Sequence, residues 1–208
     1  MSMVVSLASV SDATIQRLLA DPPLVWLVIA PDDPEAYDRA RREANDRARP
    51  GLFGRLFGSR GHAEAPPTAR PPLDLTDGEG DLGDLDKSWH GIHYLLTGTA
   101  DESGTPLEFL VAGGTFVGDE DIGYGPPRVF TSAETRAIAG LLATVTDDEL
   151  RSRFAPDAMM RAEIYPEIWD RDPTDDDTLG YLMEYVAMLR EAMTTVTSRG
   201  HGLLVVLS

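Results

Sequence analysis

Four side chains able to do chemistry fall on one stripe of the segment Asp84-Leu85-Asp86-Lys87-Ser88-Trp89-His90-Gly91-Ile92-His93-Tyr94-Leu95-Leu96-Thr97-Gly98. Read as a helix of about 3.6 residues per turn, it stacks Leu85, Trp89, Ile92 and Leu96 on a core face. Asp86, His90, His93 and Thr97 fall on the face beside it. Two imidazoles projecting to one side can share a metal ion, with Asp86 as a third ligand or as the orienter of a ring. Asp86 and one histidine can equally act as orienter and general base on a water molecule, provided another loop closes a pocket over them. The catalytic candidates are therefore Asp86, His90 and His93. The competing reading keeps both histidines at the rim of the core, bonded to Asp86, Thr97 or backbone carbonyls.

The rest of the chain narrows these options. It contains no cysteine, which removes thiolate ligands, thiol catalysis and disulfides. The other two histidines, His62 and His201, lie in a loop and near the C-terminal end. The i, i+3 pair thus lacks a completing set; no metal is expected, and the residues specify no cofactor. Ser88 points away from His93 on the same helix, and no Gly-x-Ser-x-Gly elbow occurs, so a Ser-His-Asp triad is not expected.

Two further segments supply candidate ligand-binding residues. Gly123-Tyr124-Gly125-Pro126-Pro127-Arg128 can present Tyr124 and Arg128 to an anionic ligand, or can be a tight connection whose tyrosine packs on the core. It lacks the third glycine and the strand-to-helix setting of a phosphate loop. In Ile164-Tyr165-Pro166-Glu167-Ile168-Trp169, Tyr165 and Trp169 can line a pocket beside Trp89, or can be plain core. Convergence of Trp89, His93, Tyr124, Arg128, Tyr165 and Trp169 would make a cleft.

The elements that must position these residues follow from patterning. Residues 3–7 read as an opening strand, and Ser11 caps a helix with Ile15, Leu18 and Leu19 on one face. Asp21-Pro22-Pro23 ends it, residues 24–29 are a buried helix or strand, and Pro34 opens a charged helix over 35–49. Residues 107–112 read as a buried strand running into Gly113-Gly114, and Val129-Phe130 as a brief strand. Thr131-Ser132-Ala133-Glu134 and Thr146-Asp147-Asp148-Glu149 are capping boxes that predict helix starts. A long helix then carries Leu179, Leu182, Val186, Leu189 and Met193, and 203–207 is a closing strand. The acidic residues Asp172 and 175–177 suit a solvated helix start better than a calcium loop. Residues 50–72, rich in Gly, Pro, Arg and Ala, read as a flexible insertion within one domain spanning 1–208. The fold class is α/β (mixed α+β): a single layered domain whose small central sheet takes N-terminal, middle and C-terminal strands, packed by helices.

Charge bears on partners. Residues 1–70 balance nine arginines against nine acids, so the whole net charge of −17 lies in residues 71–208. Such a surface repels phosphate backbones, which argues against nucleic acid, and suits a basic protein partner or simple solubility. No apolar run approaches the roughly 18 residues of a membrane span. With no basic residue before Arg17, a cytoplasmic protein without membrane contact is expected.

The Trp-His segment, Gly123-Tyr124-Gly125-Pro126 and Ile164-Tyr165-Pro166-Glu167-Ile168-Trp169 together resemble the YfbM-like family of bacterial proteins, a domain of unknown function. The resemblance covers nearly the whole chain, with 50–72 departing from the shortest members. It implies a small cytoplasmic protein with a layered α/β fold and carries over no reaction, cofactor or catalytic residue. The function expected is a ligand- or protein-binding module with any site centred on the Trp89-His90-His93 helix. The alternatives are a hydrolase-like enzyme using His90 or His93 with Asp86, and an acidic partner that neutralises a basic protein.

Overall fold

The computed structural model describes residues 2–48, 73–119 and 122–208, with the side chains of Pro34 and Ala48 excepted. The 50–72 insertion and His62 lie outside them. Strands β1 (Val5–Val10), β2 (Gly80–Asp84), β3 (Thr115–Phe116), β4 (Arg128–Phe130) and β5 (Gly202–Leu207) form one antiparallel sheet in the order β2-β1-β5-β4-β3. The first and last strands pair at its centre, from Val5 opposite Leu207 to Val10 opposite Gly202.

Both central strands carry apolar residues on both faces, because both faces are covered, with Ser6 and Ser9 the polar exceptions in β1. Val5, Leu7, Leu203 and Val205 point into one core, Ala8, Val10, Leu204 and Val206 into another. The first core is closed by helices α4 (Trp89–Thr97), α5 (Ser132–Thr144), α6 (Asp147–Arg153), α7 (Pro156–Arg161) and α8 (Thr178–Ser198). The second is closed by α1 (Asp12–Ala20), the short α2 (Trp26–Ile29) and α3 (Pro34–Ala48). Helices thus flank a sheet on both sides, giving the expected layered α/β domain. Each fully buried leucine or valine contributes about 1.5–3 kcal/mol to that arrangement.

Local chemistry sets the helix boundaries. Ser11 Oγ accepts the Thr14 N–H at the start of α1, and both Thr-x-x-Glu boxes form in full at α5 and α6. Asp177 caps α8 through the Gly180 N–H, which gives the acidic run its place. Gly98, at φ 79°, ends α4 in the left-handed conformation that a side chain resists.

Two elements differ from expectation. Residues 107–112 are buried in part but do not form a strand: Pro106 opens a 3-10 turn, and Val111 and Ala112 N–H bond back to the Glu108 carbonyl. Proline at the turn start and local hydrogen bonds there override an apolar run that suits a strand. Strand β2, unforeseen, is Gly-Asp-Leu-Gly-Asp with Gly80 at φ 126° and Gly83 at φ 92°. It is held in place by Glu79, whose carboxylate accepts the N–H groups of Ser11 and Thr76. Burial alone would raise that carboxyl, but these bonds hold it at about 2.

Candidate functional site

The helical stripe does not survive intact. Asp86 sits in a 3-10 turn ahead of α4 at φ 44°, which swings it away from His90; its Oδ2 accepts the Tyr181 O–H at 2.9 Å. Burial, then this bond, pushes the Tyr181 hydroxyl up. Ser88 is buried and donates to the Leu85 carbonyl.

The two histidines remain neighbours, with ring centroids 6.3 Å apart. The Tyr165 N–H donates to His90 Nδ1 at 3.0 Å, so Nδ1 carries no proton. Nε2 therefore holds the hydrogen and donates to the Ala100 carbonyl, also at 3.0 Å. Both nitrogens are occupied, and neither is left to bind a metal or take a proton from water. His93, with no exposed surface, donates from Nε2 to the Asp101 carbonyl at 3.0 Å. Its Nδ1 is the one buried side-chain nitrogen or oxygen without a partner among the described residues. Burial, outweighing the favourable carbonyl bonds and nearby acids, holds both imidazoles below the usual histidine range.

Trp89 stacks on His90 with centroids 4.9 Å apart and lies 6.1 Å from Tyr165. Trp89 Nε1–H donates to the Met3 carbonyl, and the Met3 N–H donates to the Tyr165 hydroxyl. Trp169 is wholly buried, its indole N–H on the Ile164 carbonyl at 2.7 Å. The fold thus joins Trp89, His90, His93, Tyr165 and Trp169 as a packed cluster.

Tyr124 and Arg128 stand apart from it. Tyr124 is exposed, its N–H bonded to the Leu207 carbonyl. Arg128, expected to face an anionic ligand, turns inward instead. Its guanidinium donates to the carbonyls of Leu110 and Ala112, with Gly113 at 3.3 Å, and lies 5.8 Å over the Phe130 ring. Burial pushes it down to about 10, still charged near neutral pH. His90, His93 and Arg128 thus all deliver N–H donors to backbone carbonyls of the loop over 99–114.

A different place is open. Beyond the edge of α2, next to β1 and β2, lies a groove of about 650 Å³. Buried Ala8, Val28 and Val206 floor it, and half-buried Trp26, Ile29 and Ile122 wall it. Asp32, Asp33, Asp81 and Asp84 line its rim. Asp33 is committed to Arg39 at 2.7 Å, a bond that lowers its carboxyl. Among the described residues no cation lies within salt-bridge distance of Asp32, Asp81 or Asp84. Asp81 and Asp84 each use one oxygen on a backbone N–H, of Gly83 and Asp86 respectively.

The family model for a domain of unknown function matches residues 1–206. The chain belongs to the DUF1877 family. Among solved structures, this DUF1877 chain is similar to a protein of unknown function, YfbM from Escherichia coli. The two share 19% identity and a TM-score of 0.61, over 99% of each chain. That likeness is one of fold. No curated protein matches. No helix among the described residues of the DUF1877 chain is long and apolar enough to cross a membrane.

Sequence reasoning missed the groove residues of this DUF1877 chain because their spacing has no period. Trp26 sits in a short apolar run, Asp32 follows a Pro, and Asp81 and Asp84 belong to a strand that reads as a turn. The one available signal is Trp26 itself, a large aromatic only partly buried beside acids.

Proposed function

We propose that the chain is an interaction module whose groove between α2, β1 and β2 takes a short basic, amphipathic segment of a partner protein. The observation that carries this is a groove with an apolar floor and a rim on which Asp32, Asp81 and Asp84 have no cationic partner among the described residues, Asp33 alone being paired with Arg39. Its volume falls in the range of roughly 300–1,000 Å³ that suits ligand sites. An apolar side chain of the segment fills the floor against Val28 and Val206. Flanking Lys or Arg groups reach Asp32, Asp81 and Asp84, and one lies on the Trp26 face. The net charge of −17 raises the encounter rate with such a partner. The open side of the groove lets an extended chain continue past it, which favours a peptide over a small enclosed molecule.

The test is amide NMR titration with a five-residue peptide alternating Lys with Leu or Phe, beside a Glu-for-Lys control. Shifts confined to α2, β1 and β2 with the basic peptide only are expected. Asp81→Asn and Asp84→Asn each weaken binding about two- to fivefold, and raising salt from about 50 to 500 mM weakens it further. Equal binding of the acidic control, or shifts elsewhere, would overturn the reading.

A further inference from the structure

We propose that His90 is a proton-operated latch between helix α4 and the turn that carries Tyr165. The ring bridges two segments: its Nδ1 accepts the Tyr165 N–H while its Nε2–H holds the Ala100 carbonyl. A proton added at Nδ1 turns the acceptor into a donor that faces another donor. The closed geometry and the imidazolium are therefore incompatible, and acid opens the latch.

The groups around the ring set the balance. On α4 these are Trp89, stacked at 4.9 Å, and His93 at 6.3 Å. On the following loop they are the Ala100 carbonyl and the Asp101 carboxylate, whose charge favours the imidazolium; Glu108 acts in the same sense on His93. From α6, Arg153 caps the Leu95 and Leu96 carbonyls at the far end of α4. From the turn comes Tyr165, its hydroxyl already bonded to the Met3 N–H. Burial outweighs the Ala100 carbonyl and the Asp101 charge, so the ring stays neutral while the latch is closed. A histidine held below its free value in the folded state contributes fully above about pH 6.5 and loses that contribution as pH falls below it.

Opening has a second consequence. Tyr165 and Trp89 together clamp Met3, and Val4 pairs through both backbone groups with Ser208. Release of the turn therefore loosens the chain just ahead of β1 as well.

The experiment is histidine and amide NMR of the full chain between about pH 8 and 5. At the alkaline end His90 is expected as the Nε2–H tautomer. Protection of the Tyr165 and Met3 amides, corrected for intrinsic exchange, stays level above about pH 6.5. Below it, protection falls by up to about tenfold per pH unit, while Leu189 in α8 keeps its own. His90→Gln retains one donor and one acceptor without a titrating ring, and levels the profile. An Nδ1–H tautomer overturns the proposal. So does His90 titrating with Tyr165 protection unchanged, or an equal loss at Leu189. If the variant does not fold, the tautomer and the wild-type profile decide alone.

Discussion

Replacing Arg128 by methionine separates a structural clamp from a ligand-facing arginine. Methionine keeps much of the apolar stem over Phe130 and removes every donor. The guanidinium serves the carbonyls of Leu110 and Ala112, both buried residues, and that of Gly113, which is exposed and can turn to water. A hydrogen bond from a charged group contributes about 1.5–3 kcal/mol net, so losing the two buried bonds costs about 3–6 kcal/mol. The lost contact with the Phe130 ring adds about 0.5–1 kcal/mol. Against a total stability of about 5–15 kcal/mol this is a large fraction. Tryptophan fluorescence reads it through urea unfolding, since Trp89 and Trp169 lie in the core that the 99–114 loop covers. With a slope of about 2 kcal/mol per molar, the midpoint falls by about 1.8–3.5 M. Arg128→Lys recovers part of the loss, because an ammonium supplies charge and donors but no fork. An Arg128→Met protein within about 0.5 kcal/mol of the parent would refute the reasoning: the loop carbonyls would then be hydrated and the arginine free for a ligand.

Three other substitutions probe the same half of the molecule. A Cβ at Gly91 would stand 2.7 Å from both Leu182 Cδ2 and Trp169 Cη2, so Gly91→Ala overpacks the α4–α8 contact. A loss of about 1–3 kcal/mol is expected in thermal or urea unfolding, despite alanine's higher helix propensity, and a stabilised variant would contradict the packing. His90→Leu leaves the Tyr165 N–H and the Ala100 carbonyl unmatched and costs about 2–4 kcal/mol. His93→Leu forfeits the Nε2 bond to the exposed Asp101 and its longer contact with Thr97 Oγ1 at 3.3 Å, but removes the unpartnered Nδ1, for a cost of about 1 kcal/mol or less. Equal losses at neutral pH would show that His93 Nδ1 has a partner in solution.

Reading the fold from sequence worked where a local signal and the tertiary structure agree. The capping boxes at Thr131 and Thr146 and the stop at Gly98 are short-range chemistry, and each sits where it was expected. The closing strand was visible because both of its faces are covered, which makes it continuously apolar; the opening strand, expected at 3–7, runs over Val5–Val10, where Ser6 and Ser9 break the apolar run. Residues 107–112 misled because burial and extended structure are different properties. That segment buries Phe109 and Leu110 while its carbonyls bond an arginine brought in by β4. Strand β2 was invisible because its pairing is secured by Glu79 and by β1, not by β-favouring side chains.

The histidine stripe teaches a sharper lesson about sites. Helical spacing placed His90 and His93 together, and they are together, yet spacing says nothing about what lies opposite. Here it is backbone: a long irregular loop and a proline-containing turn cover α4, and their polar groups need partners once buried. Neutral imidazole suits that task, because one ring satisfies a donor and an acceptor on different segments, as His90 does. A residue spent in this way can sense protons, but its nitrogens are not available to a substrate. The groove obeys the opposite logic. Its aspartates are scattered in sequence: the pairing of β2 with β1 brings Asp81 and Asp84 beside Asp32 after α2, and these three have no cationic partner among the described residues. Carboxylates that the fold does not neutralise itself are the groups with electrostatic free energy still to gain, so a cationic partner gains most there and little at the histidines.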